Sequence, residues 1–113
     1  LKAKLLTSSY TPAVTHSTVS DLTNECADSD YSEATIGGAA VTETSGTVTF
    51  DCNDITYGSN VTITAKYAVI YSDTHASDGL ICYVDLNTSG GSVSSTSGTF
   101  TVVINNSGVF TVA

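Results

Sequence analysis

Methionine and tryptophan are missing altogether, proline occurs once, at Pro12, and only three side chains are basic, Lys2, Lys4 and Lys66. Eleven acidic residues against those three leave a net charge of −8. That charge repels a phosphate backbone, so no nucleic-acid partner is expected. No apolar run approaches the ~20 residues that a membrane-spanning helix needs, and no secretory leader pattern opens the chain, so no membrane role is expected either. The three cysteines, Cys26, Cys52 and Cys82, are an odd number with no CxxC pair, which allows neither a complete disulfide framework nor a zinc ligand set. Cys52 and Cys82 fall on the apolar side of alternating stretches and read as buried thiols, with an intersheet Cys52 to Cys82 disulfide as the alternative.

Catalytic patterns are equally scarce. His16 and His75 are the only histidines, and neither belongs to an HExxH or HxH pair. No GxSxG elbow surrounds a serine, and no glycine-rich loop ends in Lys-Ser/Thr to cradle phosphate. Asp28, Asp30 and Glu33 have a spacing that could gather oxygen ligands around Ca²⁺, but the glycine and terminal glutamate of an EF-hand loop are missing, and an acidic solvated loop is the simpler reading. Asp51 with Asp54 and Asp73 with Asp78 read as turn residues rather than a glycosidase pair. Asn-x-Ser/Thr triplets begin at Asn60, Asn87 and Asn105, as a Ser/Thr-rich composition produces by chance. The expectation is a non-enzymatic protein with no catalytic residue, cofactor, metal or small-molecule substrate.

What the sequence does contain is strand alternation. Its 113 residues make one domain, 1–113, and 41% apolar against 12% charged residues give a buried core under a Thr/Ser/Gly/Asn surface. Val61, Ile63, Ala65, Tyr67, Val69 and Tyr71 alternate with Thr62, Thr64 and Lys66, which predicts one long central strand. Val48, Phe50 and Cys52 oppose Thr47, Thr49 and Asp51. Leu80, Cys82, Val84 and Leu86 oppose Tyr83 and Asp85, and Phe100, Val102 and Ile104 oppose Thr99 and Thr101. Leu1 to Leu5, Ala39 to Glu43 and Val109 to Ala113 complete the set, separated by turns at Ser45-Gly46 and Asn105 to Gly108. The fold class predicted is all-β, a single antiparallel β-sandwich, Ig-like or jelly-roll-like, of about seven or eight strands. Ser17 to Cys26 has room for a helical turn capped by Ser17 or Ser20. Ser8 to Gly38 is a long N-terminal loop where assembly contacts are expected, and Ser89 to Ser97 reads as a second, flexible loop.

The segment Val61 to Ser72, followed by Asp73 to Gly79 and then Leu80 to Leu86, resembles small bacteriophage virion structural proteins. Asn24-Glu25, Tyr31 and Gly37-Gly38-Ala39-Ala40-Val41 fall in the order those proteins show upstream, and Leu1 to Tyr10 is similar to their opening strand. Asp30 departs from the pattern, which has glycine before the tyrosine, and the aromatic ahead of the long strand is Tyr57. The resemblance implies a virion role, either capsid decoration or cement on the head shell or a tail component such as tube, collar or fibre. The implied partners are other virion proteins, the major capsid protein above all, and further copies of the chain in a homo-oligomer. The implied location is the virion, assembled in the bacterial host cytoplasm.

Leu6, Ile70, Ile81 and Val103 fall on faces that the alternation turns outward, and with Tyr10 and Tyr31 of the long loop they are the expected assembly contacts. A reading of another class is a carbohydrate-binding or adhesin domain, in which Tyr31, Tyr57, Tyr67, Tyr71 and Tyr83 supply a platform for sugar rings.

Overall fold

In the computed structural model, which describes residues 1–113, the stretch from Val61 to Ser72 serves two different sheets. The strands in chain order are β1 (Lys2–Leu6), β2 (Ala34–Thr35), β3 (Ala40–Thr44), β4 (Thr47–Asp51), β5 (Ile55–Thr56), β6 (Val61–Ala65), β7 (Tyr67–Ser72), β8 (Gly79–Asp85), β9 (Val93–Gly98), β10 (Thr101–Val102) and β11 (Phe110–Val112). β6 pairs with β9, whereas β7 lies between β1 and β8 in a four-stranded sheet ordered β2-β1-β7-β8. The switch is at Lys66. A residue in a regular strand points its N–H and C=O to the same side. The Lys66 N–H instead donates to the Leu6 carbonyl while its own carbonyl accepts from the Leu86 N–H, as a strand does where it crosses between layers.

This crossing corrects the expected faces. Val61, Ile63 and Ala65 turn toward the main core, but beyond Lys66 it is Ala68 and Ile70 that face it. Ile70, expected outside, is buried beside Leu5 and Ile63, and each such side chain contributes about 1.5–3 kcal/mol by leaving water. Tyr67, Val69 and Tyr71 lie on the other face of the four-stranded sheet. That outer face is not open: Leu6, Tyr10 and Val69 form a second buried cluster with Leu22, Tyr67 and Leu80 beneath the N-terminal loop. Leu6 is fully buried there, so it too is no outward residue.

The opposite layer supplies Phe50, Cys52, Ile55, Tyr57, Phe100 and Val102 to the main core. It is divided among three small antiparallel sheets, β11-β4-β3, β6-β9 and β5-β10. The fold is therefore all-β and sandwich-like, with eleven strands rather than seven or eight. The surplus comes from the two-residue ladders β2 and β5, too short to leave an alternation, from the division of the expected Val61 to Tyr71 strand into β6 and β7, and from β9. The expected Phe100 to Ile104 strand is present as the short β10. β9 is a further correction, because it occupies half of the expected Ser89 to Ser97 loop. Its only large apolar residue is Val93, and its pairing rests on backbone bonds and on the Ser95 hydroxyl, which donates to the Val61 carbonyl at 2.8 Å.

The stretch from Ser8 to Gly38 is mostly irregular, as expected. It is tied down by the Cys26 N–H donating to the Leu5 carbonyl at 2.9 Å and the Thr7 N–H donating to that of Asn24 at 2.8 Å. Its one helical turn, Val19–Asp21, is capped at Thr18 rather than Ser17 or Ser20. Asp21 closes the turn by accepting from the N–H groups of Ser17 and Thr18 at 2.9 and 3.0 Å.

Candidate interaction surfaces

The sheet β11-β4-β3 begins in the core and runs out past it. The register aligns Val41, Phe50 and Phe110 across the three strands, and Glu43, Val48 and Val112 in the next row of the same face. Phe50 is buried against the core, with the Phe110 ring 5.4 Å away. Toward the tip the cover ends, leaving Val41 69% and Val112 59% exposed, with Val48 and Phe110 partly so. The reverse face aligns Thr42, Thr49 and Thr111. A β3–β4 hairpin through Ser45-Gly46, both at positive φ (53° and 83°), and the turn at Gly108 hold this sheet together. A contiguous apolar face of this kind, rimmed by Thr and Glu43, has the make-up of a contact surface.

A second surface lies along β8. A cavity of about 170 Å³ is lined by Tyr10, Pro12, Ala13 and His16 of the loop and by Leu80, Ile81 and Tyr83 of the strand. The Tyr10 hydroxyl and His16 Nδ1 are 2.6 Å apart, and Tyr10 and Tyr83 each meet Tyr67 edge to face at 5.9 Å. Burial, and then the nearby Asp21 carboxylate, push the Tyr10 phenol above its ordinary pKa. Tyr83 closes this aromatic row with 55% of its surface exposed. A bulge between Ile70 and Tyr71 displaces Ile81 in the ladder, which leaves its side chain at the rim.

The remaining polar cluster is internally satisfied. Lys2 pairs with Glu33 at 3.1 Å and Asp73 at 3.8 Å, and Lys4 pairs with Glu33 at 2.8 Å and Glu25 at 3.1 Å. The Tyr71 hydroxyl donates to Glu33 at 2.7 Å, and the Tyr31 hydroxyl donates to Glu25 at 2.7 Å while accepting from the Leu5 N–H. Lys4, Tyr71 and Lys2, in that order among its partners, hold the Glu33 carboxyl down at about 2. Desolvation works against the Lys4 ammonium, but its pairing with Glu33 and Glu25 outweighs this and raises its pKa. Asp28 and Asp30 do not converge with Glu33, since they accept from the N–H groups of Thr64 and Thr62 on β6 at 3.3 and 2.9 Å. The third lysine, Lys66, is the one buried charged residue, paired with Asp85 at 2.7 Å and donating to the Asn87 carbonyl. Every lysine therefore already has a carboxylate.

No known protein family, curated protein or solved structure matches the chain.

The expected contact residues thus divide. Ile81 lies on the rim of the β8 cavity, and Val103 is exposed beside an open cleft of about 450 Å³ between the ends of β8, β9 and β10. Leu6 and Ile70 are buried within the chain and have no surface to offer, and Tyr10, also buried, reaches the exterior only as lining of the β8 cavity. Tyr31 is half-buried, stacked on Tyr57 at 6.1 Å and locked by Glu25, so it is a bolt for the loop rather than a solvent-facing platform. Val41, Val48, Phe110 and Val112 were not picked out from the sequence as surface residues, and Tyr83 was named there as a contact only within a sugar platform. Their alternation is visible there, but alternation names a face and not whether anything covers it. The thiols Cys26, Cys52 and Cys82 are free, and burial pushes those of Cys26 and Cys82 up to about 11.

Proposed function

We propose that this chain is a non-enzymatic structural protein of a bacteriophage virion, with decoration of the head shell as the leading assignment and a tail position as the variant of it. The observation that carries the reading is the apolar face of β11-β4-β3, which starts inside the core and continues uncovered. A neighbouring subunit, either a shell protein or another copy of the chain, would complete it, and repetition over a symmetric lattice makes many modest contacts collectively strong. The resemblance of Val61 to Leu86 to small virion proteins supports the same reading, as does an acidic exterior whose few cations are already paired.

The test is to add the purified chain to preformed shells that lack it and to heat both samples until the genome is released. Saturable binding with delayed release supports decoration, and Phe110→Ser with Val41→Ser should abolish it. Absence of binding to shells removes the decoration assignment and leaves the tail position. A carbohydrate-binding role is favoured by one separate observation, the half-exposed Tyr83 beside the cavity of Tyr10 and His16. It predicts glycan affinity lost in Tyr83→Ala, not in Tyr31→Ala.

A further inference from the structure

We infer that the free edge of β8, with the cavity beside it, is a docking site for an extended, lysine- or arginine-bearing segment of a partner polypeptide, which would add to the four-stranded sheet as a fifth strand. The inference does not rest on the virion assignment, because it follows from backbone geometry.

β8 is an outer strand of the sheet ordered β2-β1-β7-β8. The Leu86 N–H donates inward to the Lys66 carbonyl, and alternation along an antiparallel ladder then turns the N–H and C=O of Val84 toward β7 and those of Tyr83 and Asp85 away from it. The start of the same edge is already paired from outside. The Leu80 N–H donates to the Ser17 carbonyl at 2.9 Å and the Val19 N–H to that of Asp78 at 3.0 Å, forming an antiparallel bridge between Thr18 and Gly79. The chain itself shows that this edge accepts a strand, and then leaves it after one bridge, because a turn from Ala13 to His16 carries the loop away over the sheet face. From Ile81 to Asp85 the edge continues without a partner strand.

The departing loop also builds the side-chain site. Pro12, Ala13 and His16 form one wall of the cavity and Leu80, Ile81 and Tyr83 the other. A segment hydrogen-bonded to Tyr83 and Asp85 would direct every second side chain toward that face of the sheet, where the cavity takes aliphatic groups. Sugar recognition would use the aromatic row but not the open backbone beside it. The charge of the segment follows from what surrounds the edge. Asp21 and Asp78 lie at its paired end and Asp85 at the other, and the only nearby lysine, Lys66, is committed to Asp85. A cationic segment meets Asp21 and Asp78, which no lysine pairs with, whereas a second copy of a chain with net charge −8 brings more of the same sign.

The test uses the full chain, ¹⁵N-labelled, with the capped peptide Lys-Val-Lys-Val-Lys-Val-Lys as probe and its glutamate-for-lysine counterpart as control. The lysine peptide should slow amide exchange at Tyr83 and Asp85 by about tenfold or more, and the glutamate peptide should leave both unchanged. Tyr83→Pro, which deletes an outward N–H without removing a ladder bond, should abolish the protection. Ala13→Trp, which fills the cavity and leaves the edge open, should weaken peptide binding by roughly tenfold. No protection at millimolar peptide, equal protection by the glutamate peptide, or binding indifferent to Ala13→Trp would each overturn the inference. Protection without peptide that grows with protein concentration would also overturn it and identify a second copy as the occupant.

Discussion

Lys66→Ala removes the one charged side chain that the fold buries, at the point where the chain passes from β6 to β7. The stem of Lys66 is enclosed, with only 10% of the side chain exposed, and its ammonium is held by the Asp85 carboxylate and the Asn87 carbonyl. Three buried methylenes at about 0.8 kcal/mol each, with a charged hydrogen bond at about 1.5–3 kcal/mol, put the loss at about 4–5 kcal/mol. For a domain of this size that lowers the thermal midpoint by about 15–20 °C. Lys66→Met keeps the stem and deletes only the polar anchors, so it should lose about half as much. Urea unfolding of the three proteins at pH 7 measures both differences. If Lys66→Ala costs under about 1 kcal/mol, or if the alanine and methionine variants fall equally, then stem packing and anchoring at the crossing are not what hold the layers together.

Glu33 gives a pH signature. Its carboxyl is depressed to about 2 from 4.5, so the stability it adds is fully present above the unfolded value and drains away as pH falls through that window toward 2. The gap in thermal midpoint between wild type and Glu33→Gln should therefore be constant from pH 7 to about 5 and close below it; a gap that widens in acid contradicts the pairing. Gly108 sits at φ 94° with the position of a Cβ 2.7 Å from the Thr49 methyl and 2.8 Å from the Phe50 carbonyl oxygen. Gly108→Ala should cost about 2–3 kcal/mol and free the β11 amides to exchange, which hydrogen exchange will read directly. Alkylation by iodoacetamide at pH 8 should be slow at all three cysteines of the native chain and complete in urea; fewer than three reactive thiols in urea would reveal a disulfide instead.

The alternating residues were enough to locate most strands, because a half-buried strand writes its period into the sequence. Val48 to Cys52, Leu80 to Leu86 and the turns at Ser45-Gly46 and Gly108 all came out close to their observed places. At Lys66 the alternation with Thr62 and Thr64 gives way to the apolar run Tyr67 to Tyr71, which marks a strand covered on both faces without saying which face meets the main core; the hydrogen bonds of Lys66 reveal that. Hence Ile70 was assigned to the wrong side. Leu6 failed for a different reason: its face was right, but the loop that buries it is irregular and gives no hint of where it lies. β9 was invisible because Ser and Thr suit strands and loops alike. Of the surface residues, Ile81 and Val103 were legible as outward apolar positions, whereas the β3–β4–β11 face needed the register of three separated segments.

The position of β1 sets an order of events for the folding chain. Its residues pair on one side with Ala34–Thr35 and on the other with Tyr67–Tyr71, so that Lys4 lies opposite Val69. The centre of the four-stranded sheet cannot close until β7 has been made. The loop that buries Leu6 has no finished sheet to settle on before then. Such long-range pairing places refolding among slow β topologies, in milliseconds to seconds rather than microseconds. Meanwhile Leu5, Leu6, Val69 and Ile70 stay open to other chains. A nascent chain released before Ser72 lacks the strand that organises it, and should be captured by chaperones or aggregate rather than persist as a smaller folded unit.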